Sequence, residues 1–130
     1  MGQPTPLRPL ALIVEDDATQ RELLSDLLED SDYAIIGCDK AESAEAVLRE
    51  QGDRIALLFA DVNLAGQMSG AELAHVARQH NPDMEIVITS GRPLVEPLPD
   101  GVKFWQKPWA RLDLIRQAAT VHLATEPPAA

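Results

Sequence analysis

Ile55-Ala56-Leu57-Leu58-Phe59-Ala60 is an unbroken apolar run, closed by Asp61. A run this short suits a strand rather than a helix, and its lack of alternation means that both faces are covered, as in the central strand of a parallel sheet. Leu10 to Val14 is a second such run, and it too ends in acid, Glu15-Asp16-Asp17. Tyr33 to Gly37, Met84 to Thr89 and Val102 to Trp105 are rich in β-branched or aromatic residues and complete a set of predicted strands. Between them Leu23, Leu24, Leu27 and Leu28, then Ala44, Val47 and Leu48, then Leu73, Ala74, Val76 and Ala77 fall at helical spacing. Leu112, Ile115, Ala119 and His122 do the same after the last strand, and each set predicts one buried helix face. Ser69 followed by Glu72 reads as a capping box opening the third helix, with Gly70 leaving room for a close backbone approach. Strands alternating with helices predict an α/β fold, a doubly wound five-stranded parallel sheet. One gap breaks the pattern. Pro93, Pro97 and Pro99 lie between Ser90 and Val102, where each removes a donor and clashes with a helical turn, so a loop or single turn is expected there.

The chain of 130 residues is 45% hydrophobic, enough for one real core and not for two domains. The expected division is a tail over 1–9, one domain over 10–124, and a second tail over 125–130. Acidic residues outnumber basic ones by 21 to 11, for a formal charge of -10, which disfavours a nucleic-acid partner. No apolar run approaches the roughly 18 to 20 residues of a membrane helix, and Met1 to Pro9 lacks the apolar core of a signal peptide. The single cysteine, Cys38, follows the apolar Tyr33 stretch and reads as a buried thiol, consistent with a cytoplasmic protein without disulfides.

Ligands of open parallel sheets bind beyond the carboxyl ends of the strands. The first strand delivers Glu15, Asp16 and Asp17 there, and the third delivers Asp61. Clustered carboxylates repel one another, and a hard divalent cation such as Mg²⁺ relieves this unless one of them is protonated. Taken singly, acids at strand ends are often solvated turn residues or caps, and Asp17 suits the N-terminus of the first helix better than a metal. The fourth strand adds Thr89-Ser90-Gly91 and the fifth leads into Lys107-Pro108. Carboxylate nucleophile, cation, hydroxyl and lysine are the parts that phosphoryl transfer requires.

With Glu15-Asp16 after Leu12-Ile13-Val14, Asp61 after Leu57-Leu58-Phe59-Ala60, Ser90-Gly91 after Ile86-Val87-Ile88-Thr89 and Lys107-Pro108 after Phe104-Trp105-Gln106, the sequence resembles the receiver domain of two-component response regulators. The resemblance runs from about Leu10 to Leu123. It implies a flavodoxin-like strand order 2-1-3-4-5 and a stand-alone receiver that is no enzyme beyond its own phosphorylation and dephosphorylation. It also implies that Asp61 takes a phosphoryl group from a phosphohistidine on a histidine kinase or histidine phosphotransfer protein. Asp16, Asp61 and the backbone carbonyl of Asn63 would bind Mg²⁺, Glu15 would act through water, and Ser90 and Lys107 would hold phosphoryl oxygens. Phe104 would be the aromatic switch residue paired with Ser90; otherwise it is an ordinary half-buried strand aromatic. The expected output is a change of contacts with a downstream protein, from a monomer or weak dimer.

The sequence departs from the family pattern in three places. Ala65 stands where a proline is usual and Gly66-Gln67 lengthens the loop after Asp61; the interval from Ser90 to Lys107 is short and proline-rich, so the family's fourth helix is expected to be reduced or absent. Thr89 precedes Ser90 directly, and Ser90 is preferred for its register with Gly91. The competing readings are a receiver-like interaction module not regulated by phosphorylation, and a phosphatase with an aspartate nucleophile. The second would normally carry an acid where Asn63 stands. His75, His80 and His122 form no ligand grouping and are expected at the surface or its boundary.

Overall fold

The computed structural model describes residues 8–125, with side chains through residue 120. Nearly all of both expected tails lies outside the described residues, as does the His122 side chain. The order of elements is β1 (Leu10–Val14), α1 (Ala18–Asp30), β2 (Ala34–Cys38), α2 (Ala41–Gln51), β3 (Ile55–Asp61), α3 (Gly70–His80), β4 (Glu85–Ser90), β5 (Lys103–Gln106) and α4 (Arg111–Thr125), with a short 3₁₀ turn at Gly52–Arg54. All strand pairs are parallel, in the order β2-β1-β3-β4-β5. The strands begin within one residue of their predicted starts.

The apolar runs of β1 and β3 sit in the middle of the sheet, and successive side chains enter two separate cores. Leu12, Val14, Leu58 and Ala60 pack with Ala44 and Leu48 of α2 and Leu73 and Ala77 of α3. Ala11, Ile13, Leu57 and Phe59 face the other way, against Leu24 and Leu28 of α1 and Leu114 and Ala118 of α4. The fully buried Tyr33 joins this second core, and its hydroxyl donates to the Ala118 carbonyl at 2.8 Å. Cys38 is buried at the end of β2, and burial raises its thiol pKa.

The helix starts follow the sequence signals. Asp17 caps α1 by accepting from the Gln20 N–H at 2.9 Å, and Ser69 and Glu72 exchange both bonds of a capping box at 3.1 and 3.2 Å. A Cβ on Gly70 would overlap the carbonyl oxygen of Asp61, so only glycine lets α3 begin this close to β3.

The expected buried face of the last helix is overturned. Leu112 and Ile115 of α4 are 50% and 43% exposed and Ala119 is exposed, whereas Leu114, Gln117 and Ala118 are buried. Both sets have helical spacing. The choice falls to the edge of the sheet, where Gln117 accepts from the Lys103 ammonium at 2.8 Å and donates to Glu85 at 3.2 Å, turning that side of the helix inward.

No helix forms over residues 91–102. The segment is irregular, with Leu98 and Val102 packed on the first core. It is tied to α3 by a Ser69 hydroxyl bond to Glu96 at 3.0 Å and by His75 Nε2, 3.1 Å from the Pro97 carbonyl oxygen.

Candidate functional site

The register of the central strands brings the site together. Val14 pairs with Ala60 and Asp61 with Thr89, so Glu15 and Asp61 leave neighbouring strands side by side. The Lys107 N–H donates to the Ser90 carbonyl at 2.8 Å, which carries the β4–β5 pairing past Gln106 and brings Lys107 to the same end of the sheet.

Asp61 is buried, and each of its oxygens is engaged. Lys107 Nζ donates to Oδ2 at 2.7 Å, and the Asn63 backbone N–H donates to Oδ1 at 2.9 Å. The Ser90 hydroxyl oxygen accepts from Asn63 Nδ2 at 3.3 Å and from the Arg92 N–H at 3.1 Å. Its own O–H has no acceptor among the described residues. Thr89 points to the opposite face, donating to the Trp105 carbonyl at 2.8 Å and accepting from Trp109 Nε1 at 3.1 Å. Alternation along β4 thus places Ser90, and not Thr89, in contact with Asn63. Glu15 is buried, Asp16 is exposed, and Phe104 is half-buried in β5 against the first core. His75 and His80 are exposed.

Negative charge dominates the crevice. Burial, then the charge of Asp61, pushes the Glu15 carboxyl up to about 7, with Lys107 opposing and Asp16 and Asp17 adding to the rise. At Lys107 burial works against the charged form, but the hydrogen bond to Asp61 and the charges of Asp61, Glu15 and Asp16 outweigh it, and its pKa is raised. A small cleft of about 170 Å³ opens beside these groups, walled by Leu24, Phe59 and Trp109.

Two participants escaped the sequence reading. Glu42, in the first turn of α2, accepts from the backbone N–H groups of Gln67 and Met68 at 3.0 and 2.8 Å, which holds the lengthened β3–α3 loop. The N–H of Met68 leads the contacts that lower the Glu42 pKa. Gly66 takes φ +94 beside this carboxylate, where a Cβ would collide with it. Glutamate in a first helical turn is common, and only the glycine in the loop hinted at a special conformation. The second is Trp109, which stacks edge-on with Phe59 at 5.3 Å and reaches Thr89. A tryptophan two residues past Lys107 was its only signal.

Among the described residues no three His, Cys, Asp or Glu side chains come close enough to form a ready metal cage. Mg²⁺ does not need one, since it binds through one or two carboxylates and keeps several waters. The donors here are all hard oxygens, and the carboxylates of Glu15, Asp16 and Asp61 face the single ammonium of Lys107. The set is short of positive charge and fits a small divalent cation.

The sequence profile of the response regulator receiver domain matches residues 11–116. The response regulator receiver protein CpdR of Brucella abortus is 30% identical over 118 residues, covering 87% of this chain and 96% of that protein. The response regulator protein FleR of Pseudomonas aeruginosa is 35% identical over 77 residues, 59% of this chain but only 16% of FleR. Among solved structures, the receiver domain of the hybrid histidine kinase CckA superposes with a TM-score of 0.75 at 26% identity, covering 86% of this chain and 97% of that domain. A response regulator receiver protein from Sinorhizobium medicae reaches a TM-score of 0.81 at 24% identity, over 92% of this chain and 98% of its own.

Proposed function

The chain belongs to the response regulator receiver domain family, a family of two-component signalling modules, and from that premise we propose that Asp61 is its phosphoacceptor. The observation that carries the reading is the 2.7 Å contact between Lys107 Nζ and the buried Asp61 carboxylate, with the Ser90 hydroxyl on the next strand joined to the same group through Asn63. In the reaction an Asp61 oxygen attacks the phosphorus of a phosphohistidine on a histidine kinase or histidine phosphotransfer protein. The new O–P bond forms as the N–P bond breaks, and the imidazole leaves and takes up a proton.

The chain's residues act by position and charge, which is most of what phosphoryl transfer asks. Lys107 already contacts Asp61 and follows the negative charge onto a phosphoryl oxygen. Among the described residues the Ser90 O–H has no acceptor, so it can donate to a second oxygen. Asp16, Asp61 and the Asn63 carbonyl would hold Mg²⁺, with Glu15 acting through water. When bound, the ion neutralises charge on the transferring oxygens. Ser90 leaving its contacts with Asn63 and Arg92 would then release the 91–102 segment and alter the surface offered to a downstream protein.

Intact mass after acetyl phosphate treatment tests the assignment. The expected result is one phosphoryl adduct, dependent on Mg²⁺ and absent from Asp61→Asn; an adduct of equal yield in that variant or in excess chelator overturns it.

A further inference from the structure

The outward face of α4 is unlike the rest of the molecule. At about 100° per residue, Ile115, Ala119 and Leu112 share an arc of about 60°, with Arg111 about 40° beyond one side and Arg116 about 40° beyond the other. All five are exposed; the buried Gln117 and Leu114 lie about 170° and about 130° from the middle of that arc, and the buried Ala118 about 90° from it, next to Arg111. The helix is therefore apolar on two faces, and only one of them is used by the fold. Neither guanidinium has an ion-pair or hydrogen-bond partner among the described residues. Asp113, the only acid in the sequence of α4, is half-buried and occupied with the start of the helix, accepting from the Ala110 N–H at 2.9 Å. On the far side of Arg116 from the stripe is an open groove of about 470 Å³, lined by Trp105, Trp109, Arg116 and Asp113 and by none of the three stripe residues.

We propose that this face is a docking site for an acidic amphipathic helix of a partner protein, which lays its apolar seam along Leu112, Ile115 and Ala119 and sets carboxylates against Arg111 and Arg116. Charge complementarity selects the occupant. Two free arginines flanking an apolar seam on a chain of net charge -10 form a local exception that suits an acidic helix. A second copy pairing α4 on α4 would bring arginines against arginines, whichever way the two helices ran. An anionic membrane or a nucleic acid would meet the acidic remainder of the surface. The face is present before any phosphorylation, so the inference stands whether or not Asp61 is the phosphoacceptor.

The test uses the full chain, isotope-labelled, titrated with a synthetic helix of about 20 residues whose leucine seam is flanked by glutamates. Saturable amide shifts centred on residues 111–120 are expected. Binding should weaken at least tenfold in Arg111→Glu/Arg116→Glu, and also in Leu112→Ser/Ile115→Ser. All four side chains are exposed, so both variants should keep the wild-type melting curve. A probe with lysines in place of the glutamates should not bind. Equal affinity for the two probes, shifts elsewhere, or no shifts would overturn the proposal. So would binding to phosphatidylserine vesicles without binding to the glutamate probe, or self-association of the chain that Ile115→Glu abolishes.

Discussion

Single side chains fix how far this fold can be altered. Gly70 touches the carbonyl of Asp61 so closely that Gly70→Ala must push β3 and α3 apart, at a cost of about 1 to 3 kcal/mol; urea denaturation should show the loss, while Gly91→Ala, whose Cβ meets nothing within 4 Å, should leave stability unchanged. Tyr33 predicts an alkaline weakness. Burial, then the charge of Glu85, raises its hydroxyl pKa above the usual 10.0. The folded state therefore holds that proton longer than the unfolded chain, and stability declines as pH rises past the unfolded value. Tyr33→Phe should lose about 1 kcal/mol at neutral pH with its bond to Ala118, yet show a flatter decline above pH 10. Denaturation midpoints at neutral and alkaline pH decide the matter. At Glu42, replacement by Ala removes the acceptor for Gln67 and Met68, and their amides should exchange severalfold faster while those of α3 hold.

At the scale of elements the 91–102 segment is the one connection between successive strands that carries no helix. The amides from Leu94 to Leu98 have no protein acceptor among the described residues, so they should exchange near the rate of free peptide, in contrast to the helical amides of α3. Glu96→Ala removes the tie to Ser69 and should loosen the segment further without unfolding the protein; protection there equal to that of α3 would refute this account. Its three prolines made the missing helix legible in the sequence. The strands were legible for a related reason, since unbroken apolar runs such as Leu57 to Ala60 have no other stable place than the middle of a covered sheet. The α4 face was not, because Leu112 and Ile115 and Leu114 and Ala118 satisfy the same periodicity, and the choice depends on Gln117 meeting β5 and Glu85. The strand-end acids, Ser90 and Lys107 could be assembled from strand ends alone. Glu42 could not, because its partners lie 25 and 26 residues away in a loop whose path no local signal sets.

Viewed whole, the molecule is two apolar layers sharing one sheet, wrapped in a surface of net charge -10. Self-repulsion and the lack of a helix between β4 and β5 both weigh against pairing through the β5 side of the molecule. Light scattering at physiological salt should therefore give a monomer mass with and without beryllofluoride; a tight activated dimer would overturn this. Among the described residues, no helix is long and apolar enough to cross a membrane. The aromatic cluster leads somewhere else. Trp105 and Trp109 are the only two tryptophans of the chain, 5.6 Å apart, one on each side of Lys107 in sequence and both bonded to Thr89, the neighbour of Ser90. All indole emission thus originates beside Thr89, one residue from Ser90. Any rearrangement of Lys107 or of the end of β4 should alter its colour and yield, so stopped-flow fluorimetry can time the response of the unlabelled protein to a phosphodonor.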